Sequence, residues 1–254
     1  MTRNFEAVVF DMDGTLYTGE TVIPGARELL AALTARGTRV CYLTNNSSRC
    51  GSDYAKRLAG FGFPASPADI VTSGDVALDY VLTRYPGRRV LVFGTPSLRG
   101  CFSEAVELDD ARPEVAVMGF HNEMTYPELV RLCDALRTGI PYIATHPDKN
   151  CPAEPYPVPD AGSFAALVES ATGRVPDAVC GKPSRTAGEY LCRRLNLPAD
   201  KIAFVGDRYS TDILLAKHSG FYSVQVLTGA REDPETEGPA DLVIPSVANL
   251  LDYL

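Results

Sequence analysis

Two carboxylates spaced two residues apart, Asp11 and Asp13, follow the apolar run Val8-Val9-Phe10, and the pair Gly14-Thr15 breaks that run. An unbroken apolar run reads as a buried parallel strand, and ligands of such sheets bind outside the carboxyl ends of the strands. Acids aimed there ask for a cation or for acid/base work rather than a solvated turn. Three more polar groups follow apolar stretches in the same way. Thr44-Asn45-Asn46-Ser47-Ser48 succeeds Arg39 to Leu43, Lys182 succeeds the short run Asp177 to Gly181, and Asp207 ends Ile202 to Gly206 with Asp212 five positions on. Each has a plain alternative: a turn or cap for Asn-Asn-Ser-Ser, a solvated charge for Lys182, a helix capped by Ser210 or Thr211 around Asp212. Lys182 also opens a helical pattern from Arg185 to Leu195, where its ammonium and the free N–H groups of the first turn would meet an anion.

The elements between these groups bring them to one rim. Pro24 to Leu33 has helical periodicity, with Gly37 just past its end, so strand, helix and strand form a right-handed βαβ unit. That unit sets Thr44 and Asn45 facing Asp11. A helix from Tyr54 to Phe61 and the stretch Ile70 to Gly74 close a first block. From Asp75 to Ala178 the alternation continues: helix Val76 to Tyr85, strands Arg89 to Phe93 and Val115 to Gly119, helix Pro127 to Leu136, strand Tyr142 to Thr145. No paired acids follow a strand there. One sheet holding every strand would be uncommonly wide, so this block reads as an insertion with its own sheet. The expected organisation is α/β: a Rossmann-like parallel sheet core in residues 1–74 and 179–254, interrupted by an inserted α/β domain in 75–178. Within the insertion, Pro147, Pro152, Pro155, Pro157 and Pro159 argue against regular structure between His146 and Gly162. Tyr222 to Val226 and Leu242 to Ile244 complete the sheet, and Val247 to Tyr253 reads as a closing amphipathic helix.

Bulk properties exclude several classes. The 254 residues are 45% hydrophobic and 22% charged, the balance of an ordinary globular chain. A net charge of -8 argues against nucleic acid or anionic membrane as partner, so an anionic substrate needs a local positive site. No apolar run reaches membrane-spanning length, and Met1 to Glu6 lack the apolar core of a signal peptide, which makes the cytoplasm the expected location. Seven scattered cysteines, an odd number without a C-x-x-C pair, read as reduced thiols, with Cys41 and Cys180 as core residues.

Taken together, Asp-Met-Asp-Gly-Thr at 11–15, Leu-Thr-Asn-Asn at 43–46, Gly-Lys-Pro at 181–183 and Gly-Asp-Arg-Tyr-Ser-Thr-Asp at 206–212 resemble the four motifs of the haloacid dehalogenase (HAD) superfamily. The likeness covers nearly the whole chain. Leu-Thr-Asn-Asn, Gly162 to Ala166, Ala171-Thr172-Gly173, Gly-Lys-Pro and Val226 to Gly229 are similar to the subfamily of NagD and the p-nitrophenylphosphatases, in which an α/β cap is inserted between the second and third motifs. The resemblance implies a phosphatase with Asp11 as nucleophile, forming an aspartyl-phosphate that water hydrolyses. Asp13 is then the acid that protonates the leaving oxygen and the base that deprotonates water. It implies Mg2+ held by Asp11, the main-chain carbonyl of Asp13 and Asp207, with Asp212 either a ligand or orienting metal-bound water or Lys182. Thr44, Asn45 and Asn46 are the expected donors to the phosphoryl oxygens.

Dehalogenase relatives need no proton delivered to a halide and lack the second acid, so Asp13 favours a phosphate ester. The expected substrate is a small phosphorylated metabolite: a nucleotide, sugar or glycolate phosphate, pyridoxal phosphate, or the artificial ester p-nitrophenyl phosphate. A phosphate-binding regulatory protein and a phosphotransferase are the alternatives; a mere binder gains little from holding a nucleophile and an acid together. In the cap, His121 stands where relatives often carry Asp, and His146 where Asn is frequent. His121 reads mainly as a solvated surface histidine, while His146, leading into the proline-rich loop, is a candidate ligand contact. Pairing of two copies through the cap is a further expectation of the resemblance.

Overall fold

The strand Ala7–Phe10 is buried along its whole length because it has neighbours on both sides. Ile202–Gly206 pairs parallel on one flank and Arg39–Thr44 parallel on the other, so Val9 lies between Phe204 and Cys41. Tyr222–Val226 and Leu242–Ile244 extend the first flank in parallel, and Ile70–Thr72 ends the second, giving a six-stranded sheet. A parallel interior strand must be covered on both faces, which is why its sequence is apolar without alternation. On one face Val8, Phe10 and Met12 pack in a cluster with Leu29, Leu30 and Leu33 of the helix Ala26–Ala35 and Tyr54 and Leu58 of the helix Gly51–Gly60. Each such side chain contributes about 1.5–3 kcal/mol by leaving water.

This computed structural model describes residues 5–153, 155–229 and 238–253. Residues 1–4, part of the N-terminal stretch read for a signal peptide, lie outside that range, as does residue 154 of the proline-rich segment. Two compact units divide the chain: one comprises Met1–Thr44, Gly51–Val71 and Lys182–Leu254, the other Asn45–Cys50 and Thr72–Gly181. The second has its own four-stranded parallel sheet, in the order Ala178–Val179, Tyr142–Ala144, Val115–Met118, Val90–Phe93. Its core joins Phe93, Met118 and Tyr142 to Leu132 and Leu136 of the helix Tyr126–Arg137 and to Phe164 and Val168 of the helix Ala161–Thr172.

Several expectations need correction. The run leading to Lys182 belongs to the inserted sheet rather than to the first, because Ala178 and Val179 pair with Ile143 and Ala144. The proline-rich segment holds a short antiparallel ribbon, Asn150–Cys151 with Val158–Pro159. Pro159 fits there as one end of a two-residue strand, where no long ladder needs its missing N–H. Neither Ser210 nor Thr211 caps a helix. The chain makes a wide helical turn over Tyr209–Ile213, entered from extended Arg208, and continues as Leu214–Ser219. The closing helix is a tight 3-10 segment, Val247–Asp252, capped by the Ser246 hydroxyl. Among the described residues, no helix is long and apolar enough to cross a membrane.

Candidate active site

Parallel register determines what meets at the carboxyl end of the central strand. Phe10 pairs with Val205, and the Asp11 N–H carries the ladder one step further to the Val205 carbonyl at 2.8 Å. Asp11 and Asp207 therefore leave adjacent strands side by side. Lys182, 171 residues from Asp11, reaches the same point: its Nζ lies 2.5 Å from Asp11 Oδ1 and 2.7 Å from Asp212 Oδ1. The other Asp212 oxygen, Oδ2, accepts the Arg208 N–H at 3.0 Å, which fixes the wide turn. Asp212 Oδ2 thus meets a main-chain donor while buried Oδ1 is held to Lys182 as an ion pair without a well-directed hydrogen bond, an arrangement suited to orienting the ammonium. Thr44, half-buried, ends the strand on the other flank of Ala7–Phe10.

Lys182, Asp207 and Asp212 are at most 3% exposed and Asp11 is 8% exposed, so their charges interact strongly. Burial opposes ionisation of Lys182, but Asp11 and Asp212 outweigh it and hold the ammonium above the usual lysine range. Burial raises Asp11, Lys182 opposes this, and the Asp207 charge raises it further. Burial likewise lifts Asp212, to about 6, against the pull of Lys182. Asp13 presents an exposed surface, yet the protein behind it raises its carboxyl, opposed by Arg57 and Arg208. A carboxyl lifted in this way is suited to both giving and taking a proton.

One oxygen each from Asp11, Asp207 and Asp212 lie within 4.8 Å of one another. Three buried carboxylates meet one lysine ammonium here, a local excess of negative charge that a cation would relieve. Hard oxygen donors and that excess fit a divalent cation. The cradle is close: Gly14 has φ +88°, and a Cβ there would come within 2.6 Å of Asp207 Oδ2, while a Cβ on Gly229 would strike the same carboxylate. Glycine is therefore required at 14 by conformation and at 229 by space.

Sequence reading gave no role to Thr15. Its hydroxyl lies 3.4 Å from both Asp11 Oδ2 and Asp207 Oδ1, and its place in Asp-Met-Asp-Gly-Thr was the available signal. Thr228, whose hydroxyl donates to the Gly14 carbonyl at 2.7 Å, was given no role either, although it lies in the stretch Val226 to Gly229 that carries part of the resemblance.

The remaining expected residues lie in the inserted unit. Asn45 Nδ2 donates to Asp148 Oδ2 at 3.0 Å, and Asn46 folds its Oδ1 back onto the Ser48 N–H at 2.9 Å. His146 is fully buried, with Nε2 2.9 Å from Asp160 Oδ1 and Nδ1 2.8 Å from Thr145 Oγ1. This corrects the expected ligand contact, because both ring nitrogens are engaged by the protein.

The family model described as haloacid dehalogenase-like hydrolase matches residues 8–106, and a second, described as HAD-hydrolase-like, matches 179–250. The acid sugar phosphatase of Staphylococcus aureus is 31% identical over 229 residues, 89% of this chain and 88% of that protein. Among solved structures, the 4-nitrophenylphosphatase of Thermotoga maritima superposes with a TM-score of 0.92 at 38% identity, covering 98% of this chain and 97% of that one. NagD of E. coli K-12 does so with a TM-score of 0.89 at 26% identity, covering 96% and 98%. Fold and relatives together define an enzyme of the phosphoric monoester hydrolase class. The chain belongs to the haloacid dehalogenase-like hydrolases, in the group of NagD and the p-nitrophenylphosphatases.

Proposed function

We propose that the chain is a Mg2+-dependent phosphatase that hydrolyses a small phosphorylated metabolite, a sugar or nucleotide monoester, through an aspartyl-phosphate on Asp11. The observation that carries this reading is the Lys182 ammonium bridging Asp11 and Asp212 beside Asp207. Asp11 attacks phosphorus with a carboxylate whose Oδ1 is held by Lys182 and whose Oδ2 is held by Thr15. Asp13 protonates the leaving oxygen, then accepts a proton from the water that cleaves the acyl phosphate. Thr44, Asn45 and Asn46 donate hydrogen bonds to the phosphoryl oxygens, each such donor being worth about 2.7–4 kcal/mol of barrier. Asp11, Asp207 and the Asp13 carbonyl would hold Mg2+, and Asp212 keeps Lys182 aligned. When bound, the ion supplies positive charge to the non-bridging oxygens. The name of the Staphylococcus aureus relative supports a sugar phosphate as the first substrate to try. We assign selection of the ester to the inserted unit, as its cap function.

Phosphate release from a metabolite panel and from p-nitrophenyl phosphate, with Mg2+, tests the reading. Asp11→Asn is expected to lower turnover by at least about three orders of magnitude while leaving the unfolding midpoint nearly unchanged. Near-normal release by that variant would reject Asp11 as the nucleophile.

A further inference from the structure

His146 stands at the centre of a polar chain whose members are all buried: Ser47, Thr145 and His146 at 0% exposure and Asp160 at 3%. Its direction follows from donor accounting. Asp160 Oδ1 already accepts the Ala161 N–H at 2.6 Å, and a carboxylate has no proton to give, so His146 Nε2 carries the hydrogen in the 2.9 Å contact. In that tautomer His146 Nδ1 accepts from the Thr145 hydroxyl at 2.8 Å. Thr145 Oγ1 in turn accepts from Ser47 Oγ at 3.2 Å, and Ser47 Oγ accepts the Phe120 N–H at 3.0 Å. Every proton in the chain has one destination. One end lies in the segment 45–48, and the other is the cap of the helix Ala161–Thr172, where the proline-rich segment stops.

One end sits beside Asn45, assigned above to phosphate, and the other beside Asp148 and Lys149 of the proline-rich segment. Ser73 Oγ donates to the Asn45 carbonyl at 2.5 Å and lies 3.3 Å from His146 Nδ1. The Asp160 N–H donates to the Lys149 carbonyl at 2.9 Å, and the Gly162 N–H to the Asp148 carbonyl at 2.8 Å. Asp148 is the residue that holds the Asn45 amide. An alanine in place of His146 would break two contacts in a region with no access for water, where unsatisfied groups are costly.

We propose that His146 is a positioning residue with two separable halves: Nδ1 fixes the segment 45–48, whose Asn45 and Asn46 are the proposed phosphate donors, through Thr145, and Nε2 fixes the end of the proline-rich segment, to which we assign choice of the ester, through Asp160. The proposal rests on the phosphatase reading and deepens it. It also explains why a histidine is used, since only a ring with an acceptor on one side and a donor on the other spans both partners from one backbone position.

Two variants separate the halves. His146→Asn retains an acceptor near the Nδ1 position and loses reach to Asp160; His146→Gln reaches Asp160 and loses the Thr145 side. The full chain is assayed for the ranking of esters, for inhibition by inorganic phosphate, and for amide exchange in 45–50 and 146–160. His146→Gln is expected to weaken phosphate inhibition roughly fivefold, the equivalent of one hydrogen bond, with the ester ranking kept. His146→Asn is expected to reorder the esters and speed exchange in 146–160, with phosphate inhibition kept. Thr145→Val, a near-isosteric cut of the Nδ1 side, should reproduce His146→Gln even if that variant folds poorly. A uniform loss of activity and stability in all three variants, with neither constant separating from the other, overturns the proposal. Absence of phosphate release by the unmodified chain would reject the phosphatase reading alone, and the exchange pattern would still decide whether His146 has two halves.

Discussion

His121 is 5% exposed, where sequence reading expected a solvated ring. It meets Phe93 edge-on at 5.0 Å, and its Nε2 lies 3.8 Å from Glu128 Oε2, with Arg99, Asp110 and Arg131 lining the same small cavity. Burial pushes its pKa below the ordinary 6.5, against the opposing pull of Glu128 and Glu123. A depressed value means that the unfolded chain binds the proton more readily below about 6.5. His121 therefore contributes stability above that pH, and the contribution is lost as pH falls toward its folded value. Asp11 and Asp212 act in the opposite sense, since their raised values favour the folded state on acidification. The comparison that isolates the ring is urea unfolding of the unmodified chain against His121→Gln at pH 7.5 and 5.5. The variant is expected to lose less stability between the two pH values. Parallel losses would show that the ring titrates alike in both states.

Thr72 joins strand to helix and illustrates what local sequence encodes well. It ends Ile70–Thr72 and caps Ser73–Arg84: its hydroxyl accepts the Asp75 N–H at 3.1 Å, and Asp75 Oδ2 takes back the Thr72 N–H at 2.7 Å. Replacing Thr72 by Ala should lower unfolding stability by about 1 kcal/mol, read from the urea midpoint; an unchanged midpoint would mean that tertiary contacts alone hold the helix start. Elements of this kind were legible, as with the helix Arg185–Leu195 and the apolar strand at 7–10, because their signals lie within one turn or one strand. The same holds for the four polar motifs, each attached to its own strand or helix end. What was not legible depends on pairing across the chain. Ala178–Val179 is two residues long, and only Ile143 and Ala144 decide which sheet it joins. The same is true of Val158–Pro159, whose proline argues against a strand until Asn150–Cys151 lies beside it. His121 and His146 were misjudged for a related reason: burial of a histidine depends on neighbours brought from Phe93 and Asp160, which the local sequence does not announce.

The acids and the lysine come from both ends of the chain, with Thr72–Gly181 looped out between them and folded on its own core. A cation that joins Asp11 to Asp207 therefore ties the central strands of one unit. Binding to the folded state alone stabilises it by about 2.7 kcal/mol at a concentration a hundred times Kd. The crowding of Asp11, Asp207 and Asp212 around Lys182 adds a reason for the gain, since a cation among the carboxylates relieves a repulsion already present in the folded state. Adding Mg2+ to metal-free protein should accordingly slow amide exchange in Ala7–Phe10 and Ile202–Gly206 while leaving Val90–Phe93 and Val115–Met118 nearly unchanged. Asp207→Asn should abolish the effect in the first pair of strands. Equal slowing in all four strands would mean that the two units open as one, and no slowing in any would remove the three carboxylates as a cation site.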